Sequence, residues 1–194
     1  MTARIYNPSL GLYERLGDSY RDFPTSPGMV WQVGHEKTVE EISQRAMFTI
    51  KEPIYLSHVR WLGRPYMRMY TLVSIDEDGY IYGVILTYSS PAGLPFAFTL
   101  SQWYAGEDGY FEIETTNPIE KVMIGDIEAL LVEYVIDDGG GILNPRIREA
   151  DMIKRELFWM QDGIVFSISG YENVRTPFAS IDLETLIAIA ESIE

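Results

Sequence analysis

The stretch Glu156-Leu-Phe-Trp-Met-Gln-Asp-Gly-Ile-Val-Phe-Ser-Ile-Ser-Gly170, followed by Ser180-Ile-Asp-Leu-Glu-Thr-Leu-Ile-Ala-Ile-Ala-Glu-Ser-Ile193, decides the fold. Its first half is rich in β-branched and aromatic residues on both sides of Asp162-Gly163, whose glycine can take the positive φ of a tight hairpin turn, so strands are predicted over 154–160 and 164–169. The second half changes period. Asp182 can cap a helix in which Leu183, Leu186, Ile187, Ala190 and Ile193 share one face, while Glu184, Glu191 and Glu194 stay outside. A helix with such a face needs a sheet to lie on.

Working backward along the chain, the same punctuation recurs. Asp76-Glu-Asp-Gly79 separates two β-rich runs, 67–75 and 80–88, and Asp108-Gly109 separates 96–104 from 110–114. Asp138-Gly139 follows a strand predicted over 125–136. Short turns in sequence order imply antiparallel neighbours, because parallel pairing needs long crossovers. The expected fold is therefore α+β: a single curved antiparallel meander of about six to eight strands, packed against the C-terminal helix and a short N-terminal helix. Lipoprotein-carrier half-barrels have a comparable shape.

The N-terminal helix is predicted over 39–46, where Thr38-Val-Glu-Glu41 has capping-box spacing. Val39, Ile42 and Ala46 form its buried stripe, and Glu40, Gln44 and Arg45 face water. A strand should begin at Phe48 and Ile50 and stop at Pro53, which marks an edge or bend. Residues 1–37, broken by Pro8, Gly11, Gly17, Pro24, Pro27, Gly28 and Gly34, read as an arm or linker with at most a short helix around Leu12, Leu16 and Tyr20. Residues 38–194 then make up a single domain.

Composition narrows the functions. With 194 residues and no cysteine, the chain can build a core without disulfides and has neither a thiolate nucleophile nor Cys-ligated zinc. A net charge of −14, from 29 acidic and 15 basic residues, repels a phosphate backbone, so nucleic acid is not an expected partner. The sequence holds no apolar run of bilayer-spanning length and no signal-peptide pattern; any anchor of the parent protein is expected upstream of Met1.

Three blocks carry a resemblance. Thr38-Val-Glu-Glu41 leading to Phe48-Thr-Ile-Lys-Glu-Pro-Ile-Tyr-Leu56, the strand Ile124-Gly-Asp-Ile-Glu-Ala-Leu-Leu-Val-Glu-Tyr134, and the terminal unit from Trp159 to Ile193 resemble a domain-of-unknown-function family. That family forms the extracytoplasmic C-terminal domain of anti-sigma-factor-like and lipoprotein-like bacterial proteins. The likeness covers about 38–193, with Ser57 and His58 standing where the family usually has a second proline and a glycine-aromatic pair. It implies an extracytoplasmic domain tethered to a membrane, with no established activity and no catalytic residues to carry over. A cytoplasmic location is the alternative.

No constellation calls for catalysis or a cofactor. The only histidines, His35 and His58, exclude a three-histidine zinc site, and no Gly-x-Ser-x-Gly elbow presents a serine. Asp76-Glu-Asp-Gly79 and Asp137-Asp-Gly139 lack the ligand order of an EF-hand and read as turns. Gly139-Gly-Gly141 opens no helix and precedes no Lys-Ser/Thr, so it is a loop rather than a phosphate cradle; the segment 139–150 is a candidate flap. Candidate ligand contacts are Tyr80 with Tyr82 and Phe96 with Phe98, each pair on one strand face, and Arg64 and Arg68 in a basic cluster that precedes the base-free run 69–120. The expected function is a non-catalytic extracytoplasmic binding or sensory domain whose concave face takes an apolar ligand or a protein partner. The alternatives are a structural interaction module and a carboxylate-dependent hydrolase.

Overall fold

In a computed structural model the described residues are 2–7, 12–17, 32–34, 39–55, 60–61, 64–65, 67–75, 80–89, 98–135, 152–173 and 181–194. In chain order the elements are β1 (Thr2–Asn7), β2 (Leu12–Gly17), β3 (Gln32–Gly34), α1 (Val39–Ser43), β4 (Arg60–Trp61), β5 (Arg64–Pro65), β6 (Met67–Ile75) and β7 (Ile81–Ser89). They continue with β8 (Phe98–Tyr104), β9 (Tyr110–Glu114), β10 (Ile119–Ile124), β11 (Ile127–Val135), β12 (Met152–Gln161), β13 (Ile164–Asn173) and α2 (Leu183–Glu191). The architecture is α+β. An open antiparallel sheet of eight strands in the order β10-β11-β12-β13-β8-β7-β6-β3 forms the body, and two irregularities in the pairing of β6 with β7 mark local bends.

The terminal hairpin folds as its sequence dictates. Asp162 and Gly163 both take positive φ, 53° and 72°, which matches the right-handed twist of β12 and β13 and sets Trp159 opposite Phe166. The core follows from register. Leu86, Leu100, Ile168, Leu157 and Leu131 stand side by side across β7, β8, β13, β12 and β11, each at most 1% exposed. In the next row Trp159 and Phe166 stack with ring centres 5.1 Å apart. Over this face lies α2, with Leu186, Ile189 and Ala190 buried in the same cluster.

Asp182 caps α2 by accepting from the Thr185 amide at 2.8 Å. Asp182→Ala should therefore cost about 1 kcal/mol, read as a shift in the denaturant midpoint at constant slope. The helix is shorter than 183–193 and its buried line includes Ile189, because the chain leaves the helix at Ser192 and Ile193 bridges to Pro53. Glu184, Glu191 and Glu194 are exposed, as the pattern required.

Several expectations change. The strand order is not one sequential meander: β6-β7-β8 and β10-β11-β12-β13 are two runs joined where β13 pairs with β8. The cause is β9. Asp108-Gly109 does not close a hairpin with β8, because β9 pairs with β1 instead, and in that turn Gly106 rather than Gly109 takes positive φ. The N-terminal segment, expected to hold at most a short helix, contributes strands: β1 pairs with β2 and β9, and β3 adds to β6. Backbone pairing with two sheets overrides the weak helical spacing of Leu12, Leu16 and Tyr20.

The short helix α1 ends at Ser43, and Ile42 is buried while Val39 and Ala46 are partly so, with Glu40, Gln44 and Arg45 outside. Thr38 lies outside the described residues. The strand expected from Phe48 is instead an extended strap. The amide of Met47 donates to the Ile81 carbonyl at 2.9 Å, and at the far end Ile54 donates to the Ser192 carbonyl at 3.1 Å. Between them the Gln102 side chain satisfies the Lys51 backbone on both sides, accepting from its N–H at 2.8 Å and donating to its carbonyl at 2.7 Å. Among the described residues no helix is long and apolar enough to cross a membrane.

Candidate functional site

Of the candidate contacts singled out from sequence, the described side chains Tyr82 and Phe98 lie in different core clusters. Phe98 is fully buried on the α2 side, stacked on Tyr88 with centres 4.7 Å apart. Tyr82 is 3% exposed and packs on Trp103 in a separate cluster, whereas Tyr80 is 56% exposed. Arg64 falls in β5 and Arg68 in β6, their side chains outside the description. Phe96, His35, His58, both acidic turns and the segment 139–150 also lie outside the described residues.

Two polar groupings have chemistry to consider. On the face away from α2, Thr87, Thr99, Ser169 and Glu156 align across four strands, with Ser101 and Ser167 in the adjoining row. The hydroxyls of Thr99 and Ser169 share a hydrogen bond of 2.7 Å, Ser167 donates to Glu156 at 3.0 Å, and Lys154 pairs with Glu156 at 3.3 Å. A hydroxyl that donates to a carboxylate already paired with an ammonium is tied into the sheet rather than poised as a nucleophile. On the α2 side, Arg155 bridges Glu133 and Glu172, which neutralises its guanidinium. Among the described residues no three His, Asp or Glu side chains cluster as metal ligands.

The accessible feature is the edge of the sheet at β10. The sequence Ile119-Glu-Lys-Val-Met-Ile-Gly-Asp-Ile-Glu128 makes a hairpin because Gly125 takes φ 56° and brings Ile124 against Ile127. The strand expected over 125–136 begins instead at Ile127, and Gly125 with Asp126 forms the turn of this hairpin. Its start is pinned: Pro118 has no amide to donate, and the Asn117 side chain donates to the Glu133 carbonyl at 3.1 Å. Its end is pinned too, since the Gly125 amide donates to Glu191 of α2 at 3.1 Å.

Alternation sets the two sides of β10. Ile124 is buried and Val122 partly buried in the α2-side core, so Ile119, Lys121 and Met123 project to the opposite side. Ile119 is 43% and Met123 54% exposed, and among the described residues β10 has a strand neighbour on one side only. Every second residue of such an edge turns its N–H and C=O outward. Carboxylates surround it: Glu120, Asp126, Glu128 and Glu191 are exposed, and Lys121 pairs with Glu128 at 2.8 Å.

No family model matches the chain, and no curated protein or solved structure matches it.

Proposed function

We propose that this is a non-catalytic binding domain that takes an extended segment of a protein partner along β10, by adding a strand to the sheet. The observation that carries it is the rigidly held, one-sided edge with two large apolar side chains exposed on it. Backbone pairing supplies affinity in such a mode, and alternate side chains supply selectivity. An apolar ligand under α2 is not part of the proposal, because Tyr88, Phe98, Leu100 and Leu186 fill that face at no more than 1% exposure. An extracytoplasmic, membrane-tethered setting belongs to the same proposal and is supported by the three residue blocks that resemble such domains.

The test is selection of extended peptides from a displayed library on the 194-residue chain. Selected peptides should slow amide exchange over 119–124 and bind the double variant Ile119→Ser/Met123→Ser at least several-fold more weakly. That variant should fold normally, since both side chains are already about half exposed. Selected peptides that bind it unchanged would show the edge is not where partners dock.

A further inference from the structure

We infer that the segment docking on β10 alternates apolar and cationic residues; this rests on β10 being the binding edge and adds the chemistry of its occupant. The added strand has period two, so one set of its side chains lies over Ile119 and Met123 and the other set lies on the α2 side. The two sets meet different surroundings. Ile119 and Met123 are four residues apart, about 13 Å along the strand, and offer apolar contact. Lys121 between them brings little net charge, because it is paired with Glu128.

On the α2 side the surroundings are anionic. Glu120 shares that side with Val122 and Ile124 by alternation, and Glu191 of α2 approaches the strand's far end at the Gly125 amide. Asp126 adds a third exposed carboxylate at the turn. An incoming strand with lysine or arginine at every second position would meet these charges while its apolar residues cover Ile119 and Met123. A second copy of this chain is a poorer occupant. It brings a net charge of −14, and centring two copies of β10 on Lys121 to pair Ile119 with Met123 opposes lysine to lysine.

The probes are blocked synthetic heptapeptides titrated into the 194-residue chain. They are Lys-Val-Lys-Val-Lys-Val-Lys, its glutamate and threonine counterparts, and the same-charge block peptide Lys-Lys-Lys-Lys-Val-Val-Val. The alternating cationic peptide should bind most tightly, slow amide exchange over 119–124, and weaken as salt is raised. Glu120→Gln should reduce its affinity by about two- to fivefold, as expected for loss of one exposed charge pair. Equal binding of the alternating and block peptides, or protection elsewhere in the sheet, overturns the inference. If the threonine or glutamate peptide protects 119–124 as well as the lysine peptide, the cationic assignment falls and the edge survives. If none of the peptides protects 119–124, the edge falls with it.

Discussion

Trp159→Ala should destabilise the domain by about 4 kcal/mol and lower the melting temperature by roughly 10 °C, the largest effect expected of any single truncation here. Trp159 is 2% exposed, stacks almost parallel to Phe166 at 8°, and belongs to the cluster that includes Leu186 of α2. Removing the indole deletes apolar contacts and leaves a cavity walled by a sheet on one side and a helix on the other. Neither wall can collapse freely. The sheet is fixed by its backbone ladders, and α2 is held at both ends, at its start by the Ile181 amide donating to the Tyr171 carbonyl of β13 and at its end by the strap at Ser192. Equilibrium denaturation of the variant measures the loss, and a change below about 1 kcal/mol would contradict the packing of this face.

The terminal unit was legible because every local preference in it agrees with the fold. Turn chemistry at Asp162-Gly163, β-rich flanks, a capping aspartate and a helical stripe all point one way. What sequence could not supply was partner choice between distant strands. Nothing local to residues 98–104 and 110–114 tells β8 to pair with β13 or β9 to pair with β1. That choice depends on which apolar faces meet after the chain has closed long loops. A turn signal such as Asp108-Gly109 marks a change of direction and leaves the identity of the neighbour open.

The candidate site was less legible for a related reason. Aromatic pairs on strand faces suggested a binding surface, but large aromatic side chains gain most by burial, and Tyr82 and Phe98 are core residues. The edge that β10 forms among the described residues gives a weaker sequence signal, since a strand's place at a sheet edge has no residue code. One clue was present: Gly125-Asp126 sits between two runs rich in β-branched and other apolar residues, 119–124 and 127–135, and a Gly-Asp pair in that setting is a hairpin signal. Exposure of Ile119 and Met123 follows only once β10 is known to be terminal in the sheet.

Gln102→Leu should cost about 2–4 kcal/mol, although it replaces a polar residue with an apolar one of similar size in a fully buried position. The reason lies across the core, in Lys51. Its N–H and carbonyl both hydrogen-bond the Gln102 amide, so the leucine strands a donor and an acceptor that lie partly buried. Transfer of the side chain alone would predict a gain, and the two orphaned backbone groups outweigh it. The location of the damage separates this from ordinary core loss. The strap is joined to the end of α2 through Glu52, Ile54 and Tyr55, so amides of Lys51, Ile54 and Glu194 should exchange faster together, while those of β12 and β13 follow only the global stability. Uniform acceleration across the sheet, with no excess at the strap, would mean that Gln102 acts by filling space and that its two hydrogen bonds to Lys51 contribute little.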